Sequence, residues 1–370
     1  MLDLMMALKE NHAVVPILLT KKKNALNRHC EREKIENHSF WYRDIMAGAP
    51  YRNRFMRLMK HVVKYLLFLC GGLTYRGVNR AGIDFSKIDI IHTNLNRLDI
   101  GIYLSKKHRL PHICHIREYK DEHIAFYKRE CISYLNSGVN RFIAISQGVY
   151  DSWSNIGIDP DKQVRINNGI DHSNFIIRKK RIDNVLKMVI FGRVEPIKGQ
   201  LEIVRALSYL DDDIKNLIQL DIWGDAYSDY QALIKEEIER GGLTSQVNFC
   251  GYCNDIATKL ADYDVGVICS KSEGFGRVTV ECMFAGLAVI ASDTGANPEI
   301  ITDGVDGRIY RYGDAAHLAE VVSDLFHDCE QLESLAYAGR KKAESHFTIA
   351  KCADAVFKIY QELLNENFIL

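Results

Sequence analysis

Proline is scarce, six in 370 residues, and no low-complexity tract occurs, which leaves little room for long disordered linkers. Long hydrophobic runs are missing as well. The stretch YLLFLCGGLTY at 65–75 is broken by two glycines and falls short of the roughly 20 apolar residues that a membrane-spanning helix needs. The opening MLDLMMALKENHAVV carries early acids and no basic region, so a secretory signal is not expected and a cytoplasmic location is. No G-x-G-x-x-G follows any apolar run, which argues against a nicotinamide-dependent oxidoreductase. Cysteine is not scarce, but its ten copies are scattered. Cys114, Cys131, Cys269 and Cys282 sit in apolar surroundings and read as small buried hydrophobes. Cys250 and Cys253 have C-x-x-C spacing, yet no second ligand pair accompanies them, so neither a zinc site nor a redox centre is expected.

The net charge of zero hides an asymmetry. Residues 1–180 hold 30 Lys and Arg against 17 Asp and Glu, which leaves 18 against 31 for residues 181–370. Two domains with separate surfaces explain this split, and the basic one favours an anionic partner. Short apolar runs at 13–19, 88–93, 111–116 and 141–145 alternate with helix-like stretches such as 96–108 and 121–137. The rhythm repeats with runs at 186–191, 217–223, 246–250, 264–269 and 287–292. Continuous Val- and Ile-rich runs between helices predict parallel strands covered on both faces, hence two doubly wound α/β domains. The boundary falls within 167–181, set at 172/173. A final helix over 347–365 is opened by Thr348 as its N-cap. Domains are therefore expected at 1–172 and 173–347, with 348–370 as a terminal helix.

In such sheets ligands bind beyond the carboxyl ends of the strands. FGRVEPIKGQ follows the 186–191 run and carries Arg193 and Lys198. This suits a diphosphate, although a solvated basic loop reads the same way. SEGFGRVTVECMFAGLAVIASDTGANPEII follows the 264–269 run. Gly274 and Gly276 let backbone amides approach an anion, and the helix from about Val278 points its positive end there. Glu273 and Glu281 suit vicinal hydroxyls rather than phosphate. An anion between two hydroxyl-rich groups describes a nucleotide diphosphate sugar. The alternative makes Glu281 a helix-dipole residue and Glu273 a surface acid.

The E-x7-E segment and FGRVEPIKG resemble retaining glycosyltransferase family 4, the group 1 glycosyltransferases. ADYDVGVICSKSEGFG, RFIAISQGVYDSW, VRINNGIDHSNF and IHTNLNRLDIGIYLSKKHRLPHICHIREY extend the resemblance over nearly the whole chain. It implies a GT-B fold, two Rossmann-like domains facing across a cleft with the last helix crossing back to the first. It implies that Arg193 and Lys198 neutralise the leaving diphosphate, that Glu281 binds the ribose and that Glu273 contacts the donor sugar. Phe275, Gly276, Arg277 and Val278 would present backbone amides, and His115 would meet the donor sugar. Catalysis would be metal-independent and retaining, with no cofactor and a UDP- or GDP-sugar as substrate. Asn94, Arg117 and Glu118 follow strand ends and are candidates for acceptor or donor contacts, or for ordinary loop roles.

One departure stands out: the family's first strand and Gly-rich turn have no counterpart in the opening residues. Acceptor identity rests on residues 51–80, with seven Lys and Arg and no acid. Arg57, Lys60, His61 and Lys64 form one stripe of a helix, and Phe55, Met59, Val62, Val63, Leu66 and Leu67 cover much of the rest. Residues 51–70 thus suit an anionic membrane surface, or a domain helix with a solvated basic edge. The membrane reading implies peripheral attachment at the inner face of the plasma membrane. It fits a saccharide acceptor on a polyprenyl diphosphate, as in capsule, exopolysaccharide or lipopolysaccharide assembly. Nucleic acid is not expected as a partner. A non-catalytic subunit of the same fold is the alternative. It would be expected to lose Glu273, Lys198 or His115, and all three are present.

Overall fold

The computed structural model describes residues 1–47, 54–70, 72–120, 125–126, 130–177 and 184–367. The chain divides into two compact units, residues 1–167 with 352–370, and residues 168–351.

The second unit is built on strands β9 (Leu186–Phe191), β10 (Ile218–Trp223), β11 (Val247–Gly251), β12 (Val265–Ile268), β13 (Ala288–Ser292) and β14 (Arg308–Tyr310). They form one sheet in the order β11-β10-β9-β12-β13-β14, and every neighbouring pair is parallel. In β9, Val189 pairs with both Asp221 and Gly266. The apolar runs expected at 186–191, 217–223, 246–250, 264–269 and 287–292 are these strands within a residue or two at each end. Leu186, Met188, Val265 and Ala288 through Ala291 have no more than 1% of their surface exposed, because helices cover both faces. Leu318, Val322 and Leu325 of the Ala315–His327 helix complete that core. The short strand β14 was not expected; Arg308, Ile309 and Tyr310 follow a turn and carry no apolar run of their own.

In the first unit the strands are shorter. They are β1 (Leu18–Thr20), β2 (Asn37–Ser39), β3 (Met46–Ala47), β4 (Ile91–Thr93), β5 (His112–Ile116), β6 (Ala125–Phe126), β7 (Arg141–Ala144) and β8 (Gln163–Arg165). β4-β5-β7-β8 form a parallel sheet, β1 pairs with β2 in parallel, and β3 with β6 antiparallel. Among the described residues no ladder joins β1 and β2 to the four-stranded sheet. The apolar run at 13–19 becomes a strand only from Leu18; Pro16 has no amide to donate to a ladder. The helix expected over 121–137 is also corrected. Ala125 and Phe126 pair with Met46 and Ala47 instead, and the helix runs Cys131–Gly138. Residues 121–124 and 127–129 lie outside the described ones. A tertiary strand partner has overridden local periodicity there.

The last helix, Ile349–Asn367, begins as expected: the Thr348 hydroxyl accepts from the Lys351 amide at 3.3 Å. Beyond Cys352 it belongs to the first unit. His12 stacks on Phe357 at 4.2 Å and reaches Asp354 at 2.8 Å.

Candidate functional site

β9 and β12 are adjacent and parallel, so the loops leaving their carboxyl ends emerge on one edge of the second sheet. Gly192 (φ 144°) follows β9, and Arg193 and Lys198 follow it. Gly199 sits at φ 71°, and a Cβ there would come within 2.1 Å of the Cys269 carbonyl oxygen. Only glycine lets the two loops approach so closely. The approach is locked by the Lys271 amide donating to the Ile197 carbonyl at 2.8 Å.

Within this edge the Lys198 ammonium donates to Glu273 Oε1 at 2.5 Å, and the Ser270 hydroxyl donates to the same oxygen at 2.8 Å. Two donors on one oxygen leave Oε2 of Glu273 as the atom able to accept from a ligand. The Arg193 side chain is 59% exposed, with Glu195 no nearer than 3.9 Å. Its position is set through its own carbonyl, which accepts from the Gln200 side chain at 3.0 Å. Gly276 (φ 74°) caps the Arg277–Ala285 helix, whose positive end faces this edge. Phe275 is not a ligand-facing ring: it is buried and meets Phe347 edge-on at 5.9 Å. Any contribution of Phe275 is through its backbone, as with Gly274 and Val278. Glu281 is 5% exposed, and the Arg277 guanidinium donates to its Oε1 at 2.7 Å. Arg277 thus has a side-chain role that the sequence did not disclose, countering the charge of the buried acid.

The sequence also missed the polar frame under this edge. Ser292 and Thr294 hydroxyls donate to the Ser270 carbonyl at 2.9 and 2.6 Å. Asn297, fully buried, accepts from Thr279 at 3.0 Å and donates to the Ser292 carbonyl at 3.2 Å. Gly295 (φ 59°) would place a Cβ 2.5 Å from the Glu273 amide nitrogen. Asn297 and Gly295 stand in the quoted GANPEI loop, where the only signal was a buried-looking turn after a strand. The frame fixes the backbone on either side of Glu273.

In the first unit, His115 lies on β5, 1% exposed. Its Nδ1 is 2.6 Å from Nε2 of His92 on β4, and the two rings stack at 4.7 Å. His92 Nδ1 is in turn 2.6 Å from the Tyr360 hydroxyl of the last helix. Burial, then the His92 and Arg117 charges, hold His115 well below its usual pKa. Burial foremost, with Arg117, pushes His92 down to about 3. Both rings are therefore neutral at pH 7, and the chain of bonds couples their tautomers. If Tyr360 donates, His92 carries its proton on Nε2, and His115 presents Nε2–H. If the chain runs the other way, His115 Nε2 is a bare acceptor. His92 and Tyr360 were not anticipated; a second histidine before a strand end gave no signal that it would face the first. His112 is a core residue. It meets Thr93 at 2.7 Å and the Gly138 carbonyl at 2.8 Å. Of the other candidates, Arg117 donates to Asn94 at 2.6 Å. Glu118 is exposed, and its carbonyl accepts from the Trp153 ring nitrogen at 2.8 Å.

Residues 173–342 match the family model of glycosyl transferases group 1, and residues 64–174 match that of Glycosyltransferase Family 4. The chain is 32% identical over 170 residues to a putative glycosyltransferase, EpsD, of Bacillus subtilis, covering 45% of this chain and 43% of that one. It is 30% identical over 189 residues to a lipopolysaccharide core biosynthesis mannosyltransferase of Rhizobium leguminosarum, covering 48% and 51%. The chain thus spans about half the length of these curated relatives. An uncharacterized glycosyltransferase of Methanocaldococcus jannaschii is 24% identical over 340 residues, 89% of this chain and 90% of its own. The crystal structure of Anabaena HepE in complex with UDP superposes with a TM-score of 0.80 at 21% identity, covering 98% of this chain and 96% of that one. The fold is GT-B.

Proposed function

Since the chain carries a group 1 glycosyltransferase domain and a family 4 glycosyltransferase domain, we propose that it transfers a sugar from a UDP- or GDP-sugar to a saccharide acceptor in surface polysaccharide assembly. The observation that carries this reading is the edge where Lys198, Ser270 and Glu273 meet beside a glycine-capped helix bearing Glu281. In this reading Glu281 takes the ribose hydroxyls, and Glu273 takes those of the sugar. Arg193, Lys198 and the amides of 274–278 face the diphosphate. Negative charge builds on the departing diphosphate as the anomeric carbon becomes oxocarbenium-like. Fixed cations and amides aimed at that charge favour the transition state over the bound substrate. His115 serves the donor sugar, and Asn94 and Arg117, held together at 2.6 Å, serve the acceptor side.

Transfer is retaining and metal-independent in this reading, with Arg193 and Lys198 as the countercharge. The acceptor is a saccharide on a polyprenyl diphosphate, and the Arg54–Leu69 helix meets an anionic membrane surface. Supporting this, Leu58, Met59, Val62, Val63, Leu66 and Leu67 along that helix are 42–60% exposed, a large apolar surface for a water-facing helix. Residues 51–53 and the side chains of Phe55, Arg57 and Lys64 lie outside the described residues. No described helix is long and apolar enough to cross a membrane.

The test is release of UDP or GDP from a panel of nucleotide sugars, with and without a polyprenyl-diphosphate-linked saccharide. One donor is expected to be cleaved, faster with acceptor, unaffected by chelator, and to give a product of unchanged anomeric configuration. If no donor is cleaved, the transferase reading fails and the chain is a supporting subunit.

A further inference from the structure

The first unit has a hollow of about 530 Å³ between the end of β2 and the Gly72–Ala81 helix. Its walls include His38, Ser39, Phe40, Trp41, Arg76 and Arg80. We propose that this hollow is an anion site for the diphosphate group of the acceptor. Arg76 and Arg80 take the phosphate oxygens, and Phe40 and Trp41 flank the group that the diphosphate carries. The assignment of the diphosphate to an acceptor rests on the sugar-transfer reading; the anion site itself does not.

The charge argument comes first. Arg76 and Arg80 stand four apart on one helix, where like charges repel. Both side chains are exposed, and among the described residues neither has a carboxylate partner. The surrounding segment 51–80 contains no acid to supply one. A guanidinium pair left uncompensated on one wall of a cavity matches phosphate oxygens, which planar donor forks bind bidentately. The opposite wall is shaped for something other than phosphate. Trp41 has the Lys21 ammonium 5.9 Å from its ring centre, and that lysine is tied to Asp44 at 3.0 Å. Of the other carboxylates near the hollow in sequence, Glu36 is engaged by His38 at 2.8 Å and Asp84 by Lys87 at 3.4 Å.

The wall is also rigid. A Cβ on Gly77, between the two arginines, would lie 2.8–2.9 Å from three atoms of the Phe40 side chain. The helix therefore rests directly on Phe40, and both arginines project beside it. Val78, on the next position, is buried with Tyr42, Ile100 and Leu104, so the helix cannot roll without opening that cluster.

Calorimetry on the full chain, with UDP saturating so that any diphosphate grip in the second unit is filled, tests this directly. The titrants are inorganic pyrophosphate and geranyl diphosphate. Wild type is expected to bind both, geranyl diphosphate more tightly, and R76Q/R80Q is expected to lose roughly tenfold or more, as for lost charge-assisted bonds. R76K/R80K should fall between, keeping charge without the fork. Trp41→Ala should narrow the gap between the two titrants. An unchanged melting temperature of R76Q/R80Q excludes unfolding as the cause. No pyrophosphate binding by wild type, or equal binding by R76Q/R80Q, overturns the site. Equal affinity for the two titrants overturns the ring-flanked, lipid-linked assignment. Failure of every nucleotide sugar to react, with the arginine effect intact, would instead sink the transferase reading and leave the anion site standing.

Discussion

The second unit keeps its polar chemistry on loops above an apolar sheet, whereas the first buries it inside the sheet. β9, β12 and β13 are apolar but for Lys187 and Ser292, and Arg193, Lys198 and Glu273 come after the strands end. β4 and β5 carry His92, His112 and His115 within the strands themselves. Among the described residues, every buried histidine is in the first unit. The contrast says where each unit is vulnerable. A loop cluster on a saturated core can be dismantled with little loss of stability. A neutral histidine network cannot lose a bond, or gain a proton, without loading the fold.

The sharpest break in that contrast is Lys198→Ala. As a cation on the leaving group it should lower nucleoside diphosphate release by roughly 10²–10³-fold. As a partly buried ion pair on a loop, its removal should change stability by only about 1 kcal/mol. Steady-state release and a thermal melt on the same sample measure both. A rate within threefold of wild type would make the Lys198–Glu273 pair a structural contact between two loops.

Acid should separate the units next. Burial places His112 at about 4 and His92 at about 3 in the fold, against about 6.5 in the unfolded chain. The unfolded state therefore binds more protons below pH 6.5, and stability falls as pH drops from there toward those values. One pH unit below 6.5 costs up to about 1.4 kcal/mol for each ring. Amide exchange at pH 7 and pH 5.5 should show protection lost in β4 and β5 while β9 and β12 hold. Equal loss in both units would place the acid-labile groups elsewhere.

These differences also govern what could be seen in the sequence. The second sheet was legible because β9, β12 and β13 are almost wholly apolar and β10 alternates buried with half-buried residues, patterns that the strands of a covered sheet show. Arg193, Lys198, Glu273 and Glu281 were legible because motif spacing places them just beyond those runs. Their actual partners were not: Arg277 sits four residues before Glu281, a spacing met on any helix, and Ser270 is one more serine in a loop. The first unit resisted because strands of two or three residues are shorter than any reliable periodicity. β3 and β6 find each other across nearly eighty residues of chain, which no local pattern records.

Tyr360→Phe should produce the smallest effect and the most specific one. The hydroxyl bonds His92 Nδ1 at 2.6 Å, and His92 Nε2 bonds His115 Nδ1 at the same distance. Phenylalanine keeps the ring and its edge-on packing against His92 but frees His92 to change tautomer. Leaving a buried nitrogen unpaired costs about 1–3 kcal/mol. The tautomer of His115 is read directly by ¹⁵N shifts of labelled histidine, without any substrate. In wild type a single tautomer is expected at His115; in Tyr360→Phe a mixture. If His115 meets the donor sugar, turnover should drop roughly tenfold with the KM for donor nearly unchanged, since orientation rather than ground-state binding is lost. His92→Gln should reproduce the drop and also flatten the acid limb of the stability profile, because one of the rings that titrates below pH 6.5 is gone. Unaltered ¹⁵N shifts in Tyr360→Phe would show that the last helix supports β4 by packing alone, and that the first unit's histidines are set by their own strands.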